Sequence, residues 1–101
     1  MRFVLTLCLV AATIFAAAAR ADAAAGQSAY ASRGCIGCHG AGGVSVVATY
    51  PSLKGRNADF IRQSLTDFRS GARKNAVMNG MAAGLSDTDI ENLADYIGGL
   101  K

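Results

Sequence analysis

Two cysteines and the chain's sole histidine fall within five residues, Cys35-Ile36-Gly37-Cys38-His39. On a turn of helix, positions i, i+3 and i+4 share one face. Both thiols and the imidazole of such a turn therefore approach a common object from one side. A structural zinc site asks for about four Cys or His ligands, and the sequence after residue 21 offers three. A thioredoxin-like C-x-x-C belongs in a βαβ unit, and no such unit is visible. A plain disulfide leaves His39 without a role.

The remaining chemistry for C-x-x-C-H is covalent attachment of haem c. The two thiols reach two vinyl groups of one porphyrin, and His39 reaches its iron from the proximal side. The composition agrees. Outside the first 21 residues the chain has about twenty large apolar side chains, against twelve glycines in all. A chain of this size with that inventory is marginal alone, so a buried apolar cofactor is expected to complete its core.

The first 21 residues are not expected to belong to the fold. Met1-Arg2 is a brief positive start, the next charge is Arg20, and Ala19-Arg20-Ala21 has the small-x-small form of a cleavage site. This reads as a secretory leader over residues 1–21. The uncharged run is short for a membrane span, and Leu7 before Cys8 is unlike a lipoprotein signal. The mature domain is expected over residues 22–101, in the periplasm, where Cys35 and Cys38 meet disulfide-permissive conditions. Arg2 and Arg20 leave with the leader, so ten basic residues become eight against the same seven acids. No nucleic-acid binding follows from that balance. The basic residues cluster at Lys54, Arg56, Arg62, Arg69, Arg73 and Lys74, and the acids at Asp87, Asp89, Glu91 and Asp95. These read as two solvated helix faces, with docking or cofactor-carboxylate pairing as the sharper alternative for some of the cations.

Residues 22–32 read as a short Ala-rich helix with Asp22 as N-cap. Gly26, one turn before Tyr30, suits close approach by another helix. Residues 44–50 are β-branched but lack a partner strand and read as loop. Residues 57–69 give a helix capped by Asn57, with Ile61, Leu65 and Phe68 on one face and Gly71 after its end. Residues 73–84 read as irregular. Residues 86–98 give the clearest helix, opened by the capping box Ser86-Asp87-Thr88-Asp89. The expected fold is all-α, three main helices with Gly-rich loops wrapped around one covalent haem.

With one histidine, a bis-His haem is impossible within one chain. The second axial position is Met78, Met81, something weaker, or open. Both methionines lie just before the last helix, and core filling is the alternative role for either.

These residues together resemble a class I c-type cytochrome, most closely the single haem domains of the bacterial cytochrome c4/c553 group. The resemblance covers the whole mature chain. Pro51, twelve residues after His39, matches the family proline whose carbonyl accepts the histidine Nδ1–H. Leu53 matches the leucine that packs the haem. Gly26 and Tyr30 are similar to the pair at which the N-terminal helix crosses the C-terminal one. The spacing from methionine to the capping serine is like that of the c4 group and implies Met78 as iron ligand, with Met81 as the alternative. Arg56 or Arg73 is a candidate partner for a haem propionate. Cytochromes c4 carry two such domains, and this chain has one C-x-x-C-H, so one haem is expected.

The function implied is periplasmic electron transfer through a His/Met haem cycling between Fe(III) and Fe(II). Catalysis is not expected, since no general base or nucleophile pairing is evident. Redox partner proteins are expected, without nucleic acid and without membrane insertion after leader cleavage. The alternatives are a haem subunit of a periplasmic oxidoreductase, for example a sulfide-oxidising flavocytochrome, and a sensor or peroxidase-like protein with an open distal site.

Overall fold

The computed structural model describes residues 22–101; the expected leader, residues 1–21, lies outside the described residues. The described residues are helical and contain no strand. Helix α1 is Ala23–Ser32, α2 is Cys35–His39, α3 is Ala58–Ser70, α4 is Ala76–Ala83 and α5 is Asp87–Gly98, with a 3-10 turn at Ala41–Gly43.

Local chemistry sets most helix ends. The Asp22 carboxylate accepts the N–H groups of Ala24 and Ala25 at 2.8 and 3.2 Å. Asn57 Oδ1 accepts from Phe60 N at 2.8 Å. Ser86 Oγ accepts from Asp89 N while Asp89 Oδ2 accepts from Ser86 N, both at 3.0 Å. Each pairing satisfies N–H groups that the helix itself leaves without partners. Gly71 ends α3 with φ +82°, a conformation that glycine adopts without Cβ strain.

The first and last helices cross with backbones in contact. A Cβ on Gly26 would lie 2.0 Å from the carbonyl oxygen of Asn92 and 2.7 Å from Tyr96 Cβ. One turn on, Tyr30 is buried and meets Tyr96 edge-to-face, ring centroids 5.5 Å apart. The Asp22 N–H donates to Asn92 Oδ1 at 2.9 Å and extends the same seam. Helix α3 packs on the other side of α5. There Ile61 and Phe68 join Ile90, Leu93, Ala94 and Ile97 in the core. At its end Gly98 approaches Ala58 so closely that a Cβ would lie 2.8 Å from the Ala58 Cα.

One expectation is corrected. The stretch read as irregular, residues 73–84, holds helix α4. Asn75 caps it, accepting from Met78 N at 3.0 Å, and Ala82 is fully buried. The pattern misled because Asn79 and Gly80 are poor helix formers in the middle of a short helix.

Ion pairs link some of the charged residues, within α3 and across helices. Arg62 on α3 bonds Glu91 at 2.8 Å and Asp59 at 2.6 Å, Arg69 bonds Asp87 at 2.6 Å, and Arg33 bonds Asp89 at 3.1 Å. These partners are largely solvent-accessible, so each pair stabilises by about 0–1 kcal/mol. Arg62–Glu91 and Arg69–Asp87 tie α3 to α5, and Arg33–Asp89 ties the end of α1 to it. No helix among the described residues is long and apolar enough to cross a membrane.

Candidate functional site

Helix α2, the turn after it, and helices α3, α4 and α5 wall a cavity of about 450 Å³. Cys35, Cys38, His39, Pro51, Leu53 and Met78 all line it, as do Met81, Arg56 and Arg73. Ile61, Leu65, Phe68, Leu93 and Ile97 supply apolar wall. Every residue singled out from the sequence as binding a cofactor thus faces one space.

The His39 ring is buried, 8% exposed, and its Nδ1 lies 2.7 Å from the carbonyl oxygen of Pro51. A carbonyl can only accept, so Nδ1 carries the proton and Nε2 keeps the lone pair. The Pro51 carbonyl is itself held. Ser52 Oγ accepts from Ser45 N at 2.9 Å, and Gly43 O accepts from Leu53 N and Lys54 N at 2.8 and 3.1 Å. The single Ser45 hydroxyl proton faces two acceptors, Val47 O at 2.8 Å and Cys38 O at 3.3 Å. The loop after the histidine is therefore bonded back onto the helix that carries it. Gly40 permits this turn at φ +86°, where a Cβ would lie 1.9 Å from Val44 O.

The Tyr30 hydroxyl donates to Gly40 O and ties the end of α2 to α1. Burial pushes the Tyr30 phenol up to about 12, with smaller contributions from nearby Cys35 and Tyr96. Cys35 and Cys38 are both free thiols, and burial pushes Cys35 above its ordinary range.

Both methionines come from α4. Met78 packs against the core, whereas Met81 is 39% exposed and its methyl lies beside Gly34, at the entry to α2. On the wall, the Arg56 guanidinium lies 5.1 Å over the Phe60 ring. That of Arg73 lies 4.6 Å over Phe68 and donates to Ser64 Oγ at 3.3 Å.

Sequence reasoning missed Asn75 and Asn79, which fix α4. Asn79 Nδ2 donates to Phe68 O at 2.8 Å and to Arg73 O at 2.9 Å, and its Oδ1 accepts from Asn75 N at 2.9 Å. The available signal was an Asn three residues before a Met, which is N-cap spacing.

The donor set around this cavity is two thiols, one imidazole with a free Nε2, and two thioethers. It fits haem c: thiols to bond the porphyrin edge, soft nitrogen and sulfur donors for iron, and apolar walls for the ring.

Comparison with known proteins agrees. The model of the family described as "Cytochrome C oxidase, cbb3-type, subunit III" matches residues 21–97. The chain belongs to the class I c-type cytochromes. The cytochrome is 42% identical over 102 residues to a thiosulfate dehydrogenase electron acceptor of Thiomonas intermedia, covering 100% of this chain and 45% of that one. It is 41% identical over 78 residues to cytochrome c-554(548) of Halomonas halodenitrificans, covering 74% of this chain and 92% of that one. Among solved structures, reduced cytochrome c4 from Pseudomonas stutzeri superposes with a TM-score of 0.71 at 39% identity, over 81% of this chain and 51% of that one. The cytochrome thus spans about half the length of some of these relatives and nearly all of another. The all-α class I fold expected from the sequence is the fold found, and haem c is the cofactor of this family.

Proposed function

We propose that this cytochrome is a periplasmic electron carrier with one haem c, bonded through Cys35 and Cys38 and ligated by His39 and Met78. The observation that carries this reading is the convergence of those four residues on one apolar cavity, with His39 Nδ1 committed to Pro51. When bound, the haem supplies a one-electron Fe(III)/Fe(II) couple. The protein's residues do the rest. The Nδ1–H bond to Pro51 fixes the ring plane of His39 and raises the basicity of Nε2. Met78 offers a soft sulfur, which favours the reduced metal. Leu53, Ile61, Leu93 and Ile97 keep water away and lower the local dielectric. Arg56 and Arg73, on the cavity wall and outside the ion pairs of α5, are placed to take haem carboxylates.

In this reading residues 1–21 are a cleaved leader, residues 22–101 are the functional domain, and the protein is not itself an enzyme. With His39 and Met78 both holding the iron, a substrate would find no open coordination site. Intact mass of the native, exported protein tests this: the expected result is a chain starting at Asp22 plus one haem, with the Fe(III)–thioether absorption band. A colourless protein, or a mass lacking the increment, overturns it.

A second reading, the haem subunit of a periplasmic oxidoreductase, is favoured by a relative named as the cytochrome subunit of sulfide dehydrogenase of Chlorobaculum tepidum, 37% identical over 67 residues. Redox partner proteins are common to both readings. Size exclusion of the native protein separates them: co-elution with a larger dehydrogenase supports the subunit, and elution as a small free protein supports the carrier.

A further inference from the structure

We infer that Asn79 is a positioning residue for the Met78 sulfur; this rests on Met78 being the iron ligand. Methionine is a weak, flexible ligand with three rotatable bonds. Its hold on a metal depends on how firmly its backbone is placed. Helix α4 has eight residues, too few to be stable by itself. It also follows a turn, residues 71–75, that has no regular structure of its own beyond bends and turns.

Asn79 supplies what the helix lacks. Its Nδ2 donates to two carbonyls outside α4, Phe68 O on α3 at 2.8 Å and Arg73 O in the turn at 2.9 Å. Its Oδ1 accepts from Asn75 N at 2.9 Å. Asn75 Oδ1 then accepts from Met78 N at 3.0 Å. One amide therefore joins the end of α3, the connecting turn and the cap of α4, and the chain of bonds ends on the backbone of Met78 itself. Asn79 is adjacent to Met78 but does not line the cavity. It acts through the backbone, without touching the cofactor. A hydrophobic side chain of similar size would satisfy none of the three partners, and each lost bond loosens the helix.

The test uses the haem-loaded protein and free imidazole as a competitor for the methionine position. Asn79→Ala is expected to keep its haem and thioether band, while imidazole displaces the band at about tenfold lower concentration. Asn79→Asp, which keeps the Oδ1 acceptor and loses both donors, is expected to shift the same way and serves if the alanine variant does not fold. Asn57→Ala, which removes a comparable cap from α3, is expected to lower thermal stability without moving the imidazole midpoint. An unchanged midpoint in both Asn79 variants, or an equal shift in Asn57→Ala, overturns the inference. Met78→Ala separates the underlying reading: retention of its band removes Met78 as ligand, whatever Asn79 does.

Discussion

The Nδ1 of His39 lies 2.7 Å from the carbonyl oxygen of Pro51, twelve residues further along the chain. That bond selects the tautomer, and a short hydrogen-bonded loop sustains it. The Nδ1 proton is expected to exchange slowly with solvent, as followed by NMR of the holoprotein. Ser52→Ala removes the acceptor for Ser45 N and is expected to speed exchange about fivefold, the effect of one hydrogen bond on local opening. Equal rates would mean that the loop does not hold the carbonyl.

Substitution of Met78 by alanine is expected to abolish the Fe(III)–thioether band. It should lower the reduction potential on the order of 0.1–0.3 V, part of the roughly 0.8 V that axial ligands span. Met81→Ala is expected to leave both nearly unchanged. The opposite pattern in spectroelectrochemistry would transfer the ligand role to Met81.

Gly26→Ala places a methyl 2.0 Å from the Asn92 carbonyl, so the crossing helices must separate. Overpacking against backbone costs about 1–3 kcal/mol, and this site belongs at the upper end because neither neighbour is a flexible side-chain tip. Denaturant unfolding of the holoprotein measures it. A loss below about 0.5 kcal/mol would show that the seam can open freely.

Acid weakens the start of α5 in a defined direction. The Asp89 carboxyl lies below the ordinary aspartate range, chiefly through the Ser86 backbone N–H, then the Ser86 hydroxyl and nearby Arg33. A depressed folded pKa gives stability that is present above the unfolded value, about 3.9, and lost as pH falls through the folded one. Asp89→Ala, which removes that carboxylate acceptor, is expected to cost about 1 kcal/mol at neutral pH. The gap to the parent protein should narrow below about pH 4 in thermal melts. A gap independent of pH would exclude the capping box as its source.

The double variant Cys35→Ala/Cys38→Ala is expected to lack haem and most helical circular dichroism. The core residues Ile61, Leu93 and Ile97, and Leu53 packed against the core, all line the cavity, so the apolar surface that binds the helices together is shared with the cofactor. A strongly helical spectrum from that variant would contradict this.

The three longer helices were legible because their signals are local. Asp22, Asn57 and Ser86 are capping residues at the right places, and Ile61, Phe68, Ile90, Leu93 and Ile97 keep helical spacing. The site was legible because covalent chemistry demands a fixed spacing, and Cys35, Cys38 and His39 do face one cavity. Helix α4 was not legible. Its stability comes from Asn79 bonding to Phe68 and Arg73, residues on other elements, and no periodicity within eight residues records that. The ion pairs were hidden for the same reason. Arg62 and Glu91 are 29 positions apart, and only the packing of α3 on α5 makes them neighbours. Two bonds, Arg62–Glu91 and Arg69–Asp87, join the two charge clusters that read as separate solvated faces.

The contact of Gly26 with Asn92 has a consequence for the order of events during biogenesis. The seam joins residues 66 positions apart, so it cannot form until nearly the whole polypeptide has been synthesised. The final helix acts as a latch: until it has been made, the first helix has nothing to close against.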